Sequence, residues 1–387
     1  MPQCLKDWKE RENKMKDTFV LMGDERAALR LRALYSRHGY TQYKMNKFEE
    51  YDLYVQNKDF LISDAVITFT GTNGKLLALK PDVTLSIVKN TGRGEGTRKV
   101  YYQENVYRVS GKTKEFREIM QVGLECIGDV DAYCQLEVLM LAAKSLLEIS
   151  PEAVLDVSHA GVLAAYLNTV SDDAAVRARL LCAIGEKNLH GLRAICAEAG
   201  VQECVAEKLG SLISCYGKPS EVLKTLTPIL ADAVPDEMLN SFASLLLALE
   251  NSEIGKCVRL DFSQVGDVGY YNGIIFKGFV AGVPTDVLSG GEYGGLMKKM
   301  GRGDDAIGFA VYLDALERFE EEGERYDVDT AVLYGADADP AELFAAIDAL
   351  KAGGQSVAAY RTLPLKLRYC RLCRFDEKEG VIREANA

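Results

Sequence analysis

A chain of 387 residues is too long for one small core and calls for two or three folding units. Apolar residues make up 48% and charged residues 27%, the proportions of an ordinary soluble globular protein. The net charge of −11 argues against broad affinity for a polyanion, and no run approaches the ~20 apolar residues that span a membrane.

The N-terminal stretch MPQCLKDWKERENKMKD is charged throughout and lacks the apolar segment of a signal peptide, so a cytoplasmic location is expected. From 18 to 38 apolar positions recur at helical spacing, with Leu21, Ala28, Leu31, Leu34 and Tyr35 on one face. Asp24 and Glu25 at the start and Arg37 and His38 at the end complement the helix dipole, and Gly39 stops the helix. Segments 66–70 and 76–79 predict a hairpin around Gly71–Gly74. A helix follows from Pro81 to Lys89.

Two strand-like runs, Val100–Arg108 and Glu118–Ile127, flank a polar loop from Val109 to Arg117. Arg108 at its entry and Arg117 at its exit form a fork suited to a carboxylate or phosphate. Gln121, four residues after Arg117, shares its face of the strand. A plain hairpin with charged surface residues satisfies the same spacing.

Residues 131–148 predict an amphipathic helix, 154–158 a short strand, and His159-Ala160-Gly161 the start of the next helix. From about Ala164 to Asn251 strand signals nearly vanish and helical periodicity dominates. Strand texture returns with VRLDFSQVG, YYNGIIFKGF and AIGFAVYLDAL, so the helical block interrupts a discontinuous core. From Tyr326 a strand at 327–334, a helix at 340–352 and a strand at 356–360 make a small α/β unit. The expected division is 1–163, 164–255, 256–325 and 326–387.

The ten cysteines lie scattered through apolar segments and read as small buried residues. Cys370 and Cys373 form one C-x-x-C with no second pair, and His38, His159 and His190 are far upstream, so they read as incidental thiols rather than a metal site.

The stretch from 76 to 128 resembles motif 2 of the class II aminoacyl-tRNA synthetases, in their histidyl branch. Tyr107-Arg108 stands for Phe-Arg, and Arg117, Ile119, Gln121 and Gly123 stand for Arg-x-Phe-x-Gln-x-Gly. Lys80, Pro81, Asp82 and Thr84 stand in the branch's Arg-Pro-Glu-Gly-Thr segment. GDVGYYNGIIFKGF resembles Arg-Gly-Leu-Asp-Tyr-Tyr-x-Gly-x-x-Phe-Glu through Tyr270, Tyr271, Gly273 and Phe276. SGGEYGGL resembles Gly-Gly-Arg-Tyr-Asp-Gly-Leu, and AIGFAVYLDAL resembles motif 3.

The resemblance implies an α+β fold: a class II synthetase-like antiparallel sheet core, a helical insertion and a small C-terminal α/β domain. Its 18–38 helix would be the dimer-forming motif 1 helix, although Asn46 stands where the family has proline. The signature arginine falls on Gly266 and the motif 3 arginine on Ala315, so the groups the family uses on the phosphates are lost. The second glycine of motif 3 falls on Tyr312, whose ring would occupy adenine space, and Glu292 replaces another arginine. The amino-acid side is kept. Asp82, Thr84, Arg108, Gln121, Tyr270, Tyr271 and Tyr293 fall on positions expected to surround histidine, Asp82 holding the imidazole N–H and Gln121 the α-amino group.

A synthetase core without its catalytic groups resembles the regulatory subunits of ATP phosphoribosyltransferase. That resemblance implies no catalysis and no cofactor. It also implies a short-form catalytic subunit as partner, a homodimer within a hetero-octamer of four and four chains, and histidine as effector. Specific tRNA binding is not expected of an acidic chain with a short C-terminal unit. An active histidyl-tRNA synthetase, or a histidine-binding or amino-acid-ligase paralogue with another partner, are the alternatives.

Overall fold

The structure is a computed structural model and describes residues 23–57, 66–92, 96–109, 114–266, 270–316, 326–352 and 355–385. The chain divides into two compact units, 1–319 and 320–387.

The first unit opens with helix α1 (Gly23–Arg37), strands β1 (Thr41–Gln42) and β2 (Phe48–Glu50), and helix α2 (Tyr51–Val55). Leu21 of the expected apolar face lies outside the described residues. Hairpin β3 (Thr68–Thr70) and β4 (Leu76–Leu79) joins β2 in a three-stranded sheet, and helix α3 (Thr84–Asn90) follows. α3 starts three residues later than the sequence suggests, because Asp82 caps it from outside: its Oδ1 accepts the Leu85 N–H at 2.9 Å.

The long hairpin β5 (Arg98–Val109) and β6 (Phe116–Gly128) is followed by helix α4 (Ala132–Ile149), capped by Asp131 on the Cys134 N–H. Strand β7 (Val154–His159) runs into helix α5 (Ala160–Val170), where His159 Nδ1 accepts the Val162 N–H. Helices α6 (Ala174–Gly185), α7 (Leu189–Glu198), α8 (Glu203–Ser214), α9 (Pro219–Leu230) and α10 (Asp236–Glu250) come next, with the two-residue strand β8 (Tyr216–Gly217) between α8 and α9. Strands β9 (Val258–Asp261), β10 (Ile274–Phe279) and β11 (Leu288–Glu292), helix α11 (Gly294–Lys299) and strand β12 (Asp305–Tyr312) complete the unit.

Nine of these strands form one sheet in the order β1-β5-β6-β12-β11-β10-β7-β9-β8. The centre is antiparallel, as expected. Nearer the edges β1 pairs with β5, and β7 with β9, in parallel, so the sheet is mixed. One face is covered by α1, α4 and the helices between 160 and 250, which bury the main core around Leu31, Leu139, Leu246 and Phe276. On the other face α3 and α11 enclose a second core with Leu85, Val88, Leu296 and Met297. Beside that second core the sheet face is left open.

Register decides what lines the open face. Side chains alternate along a strand, so cross-strand partners share a face. One row runs Tyr102, Gly123, Ala310, Ser289, Lys277, Asp156. The next runs Glu125, Gly308, Gly291, Ile275, Ser158. Small residues in the middle of both rows leave a hollow. At Gly308 a Cβ would fall 1.8 Å from Glu125 Oε2, so glycine there makes room for that carboxylate.

The second unit has strand β13 (Val328–Leu333), helix α12 (Pro340–Lys351) and strands β14 (Val357–Tyr360), β15 (Tyr369–Asp376) and β16 (Val381–Glu384). Their order is β14-β13-β15-β16, with β13 parallel to both neighbours. Asp339 caps α12 through the Ala341 and Glu342 N–H groups. β15 and β16 extend the strand–helix–strand unit expected from sequence. On β15 Cys373 is buried against Val332, Leu343 and Phe375 while Cys370 is exposed, so the two thiols of the C-x-x-C point to opposite faces.

Candidate functional site

The hollow is a cavity of about 520 Å³, within the range of small-molecule sites. All seven residues expected to surround an amino acid line it: Asp82, Thr84, Arg108, Gln121, Tyr270, Tyr271 and Tyr293. They arrive from five parts of the chain. Asp82 and Thr84 sit at the start of α3, Arg108 on β5, Gln121 on β6, and the tyrosines on the segments before β10 and α11.

The centre of the polar network is a residue the sequence reading passed over. Glu125, 2% exposed, accepts Thr84 Oγ1–H at Oε1 (2.9 Å) and Tyr293 Oη–H at Oε2 (2.6 Å). Burial pushes its carboxyl up to about 8, against the pull of the two hydroxyls. Asp82 is also pushed up by burial, opposed by the Leu85 N–H and by the Arg108 charge. Besides facing the cavity, Asp82 has a partner within the chain, as the cap of α3.

Three tyrosines form the apolar wall. The Tyr270 ring meets Tyr271 edge-on at 4.7 Å and lies 5.8 Å from Tyr293. The Asn272 N–H donates to the Glu292 carbonyl, and the Ile274 N–H to Glu292 Oε2 at 2.8 Å. Gln135 of α4 donates to the other carboxylate oxygen. Glu292 thus props the Tyr270–Tyr271 turn from behind, on the α4 side of the sheet.

The arginine fork is only half realised. Arg108 and Arg117 pair across β5 and β6. Arg108 lines the cavity and gives its Nε–H to the Pro81 carbonyl at 3.1 Å, whereas Arg117 is exposed and outside the lining. The cause is position: Arg117 is the second residue of β6, beyond the covered part of the hairpin.

Two contacts fix the segment that carries Asp82 and Thr84. Lys80, fully buried, pairs with Glu104 Oε2 at 2.9 Å, and the Lys80 carbonyl accepts the Tyr107 N–H. At the other end of α3, Arg302 donates to the carbonyls of Val88 (2.9 Å), Thr91 (2.7 Å) and Gly92 (3.1 Å) and to Asp304 Oδ2. The helix is therefore held at both ends.

The model of the family described as histidyl-tRNA synthetase matches residues 23–316, most of the chain and all of the cavity. The chain belongs to the histidyl-tRNA synthetase family. A curated relative from Oceanobacillus iheyensis, named ATP phosphoribosyltransferase regulatory subunit, is 25% identical over 72% of this chain and 69% of its own. Among solved structures, one from Bacillus halodurans described as an ATP phosphoribosyltransferase regulatory subunit/histidyl-tRNA synthetase superposes with a TM-score of 0.72 at 22% identity. It covers 91% of this chain and 93% of its own. A chain of the ATP phosphoribosyl transferase (HisG:HisZ) complex from Thermotoga maritima superposes with a TM-score of 0.60 at 20% identity, over 76% of this chain and 98% of its own.

Within this family the departures fall in the same cavity as the matches. Gly266, Tyr312 and Ala315 all line it. Gly266, at φ +58°, backs onto Ile275 and Tyr271, and a Cβ there would lie 2.9 Å from the Ile275 side chain. Tyr312 is half-buried and shares a 2.6 Å hydrogen bond with Ser289 Oγ. The last residue of the histidyl signature, a glutamate, falls on Lys277, which also lines the cavity.

Proposed function

We infer that the chain is the regulatory, non-catalytic subunit of an ATP phosphoribosyltransferase and that histidine binds its cavity. The observation that carries this is the division within one cavity. The amino-acid groups are together around Glu125, while glycine, alanine and tyrosine stand at the family's two arginines and its motif 3 glycine. The relatives' names favour the same reading.

In this reading the imidazole lies between Glu125 and Asp82, against Tyr270, Tyr271 and Tyr293. Glu125 accepts from a ring N–H, or donates to a ring nitrogen when protonated. Gln121 offers its amide oxygen to the α-amino group. Gly266 and Ala315 themselves supply no guanidinium to stabilise charge on a transferring phosphate. The partner is a short-form catalytic subunit, which this chain activates on assembly and inhibits when histidine is bound.

The test mixes the purified chain with a short-form catalytic subunit and follows the condensation of ATP with phosphoribosyl pyrophosphate. Activity should need this chain and fall as histidine is added. A catalytic subunit equally active without this chain, or indifferent to histidine in its presence, would overturn the reading.

A further inference from the structure

Lys277 lines the cavity floor from β10, opposite Ser289 on one side and Asp156 on the other. It is half-buried and has no hydrogen-bond or ion-pair partner among the described residues. The other cavity cation, Arg108, gives its Nε–H to Pro81, and its charge acts on Asp82 and Asp314. Behind Lys277 lies Asp156, 6% exposed, whose Oδ1 is buried without a hydrogen-bond partner, like Ser158 Oγ two residues on. These two atoms face the same side of the sheet as the lysine.

The position matters because of what the neighbouring one has lost. Gly266 abuts Ile275, and Ile275 and Lys277 share a face of β10 two residues apart. The family signature has arginine and glutamate at these two places; this chain has glycine and lysine. A cation therefore stands two residues along β10 from the side chain that Gly266 abuts, about 7 Å away.

We propose that Lys277 is the anchor for the carboxylate of the cavity's occupant. This rests on the reading of the cavity as an amino-acid site. A half-buried ammonium without a protein carboxylate of its own is costly unless a ligand anion or water meets it. A carboxylate between Lys277 and Ser289 would give that ammonium a charge-assisted bond. Asp286 and Asp314 also line the cavity, and an occupant without a carboxylate would leave the lysine to them.

The experiment is calorimetric titration of the full chain with L-histidine and with histamine, which lacks only the carboxylate. Wild type should prefer histidine. Lys277→Met should lose about ten- to hundredfold in histidine affinity, leave histamine binding unchanged and so erase the preference. Lys277→Arg should recover most of it. Histidine binding untouched by Lys277→Met, or equal losses for both ligands, would overturn the assignment of the lysine alone. A wild-type chain that binds neither compound would overturn the amino-acid site and the lysine's role with it.

Discussion

Among the described residues Glu125 has two hydroxyl donors and no cation in hydrogen-bond contact, and burial holds its carboxyl near 8 against an ordinary value of 4.5. A carboxyl whose folded value is raised stabilises the fold fully below its unfolded value, and that contribution is lost as pH rises through the folded value. Thermal stability should therefore fall between about pH 4.5 and 8, and Glu125→Gln should flatten that decline in a melting series across the window. Asp156, pushed up to about 6 by burial and by Asp261, acts in the same direction and remains in the variant, so some slope should persist. Asp82 separates two roles. Asp82→Ala removes both the Leu85 cap and a ligand partner, costing about 1 kcal/mol of stability and about ten- to hundredfold in histidine affinity. Asp82→Asn keeps an acceptor for Leu85, so it should lose affinity while its melting temperature stays near wild type. The seven cavity residues were legible because they sit in motifs of fixed spacing. Glu125 was not, because it lies in the apolar run GLECIG and reads as one odd residue in a buried strand. Its signal was the period of two: Gln121, Gly123 and Glu125 share one face of β6.

Helix α3 shows how a short element can be fixed from outside. Seven residues do not make a stable helix alone. Arg302 meets three carbonyls at the end of α3, and Asp304 neutralises its charge. Arg302→Ala would leave these carbonyls without their donor and should cost on the order of 3 kcal/mol in urea unfolding. It should also weaken histidine binding, since α3 carries Thr84. Arg302→Lys should recover only part of the stability, because one ammonium cannot reproduce the planar fork. Regular elements of this kind were mostly legible. The helices between 160 and 250 follow apolar periodicity, and the long strands follow apolar runs. β1 and β8, two residues each, leave no pattern to read. β15 and β16 escaped for another reason: arginines at 371, 374 and 383 break up the apolar alternation, and the C-x-x-C invites a reading as chemistry rather than strand.

At the scale of the whole molecule, the cavity exists only because distant segments meet on one sheet. β6 lies beside β12, and β10 beside β7, with the helical block between β7 and β9 in sequence. Residue patterns alone did not give this strand order; the resemblance to the histidyl-tRNA synthetase family anticipated an antiparallel sheet core interrupted by helices, but not the order of its strands. The same assembly brings the lost groups to one place, and that sets the last prediction. Adenylation of histidine needs cations at the α-phosphate and at the triphosphate end, and a free adenine slot. Each missing donor costs about 3–4 kcal/mol in the transition state, on the order of a hundredfold or more. Gly266 and Ala315 together therefore remove about ten-thousandfold or more, before the space taken by Tyr312 is counted. Histidine-dependent exchange of pyrophosphate into ATP by the isolated chain should be undetectable. Single reversions should not restore it. Ala315→Arg returns one cation to a cavity that still holds the Tyr312 ring. Gly266→Arg puts a side chain at φ +58°, 2.9 Å from Ile275. Histidine should still bind to both variants when titrated, because Glu125, Thr84 and Tyr293 are untouched. Exchange at a synthetase's ordinary rate by the wild-type chain would mean that its remaining cations, Arg108 and Lys277, suffice for the chemistry, and the non-catalytic reading would fall.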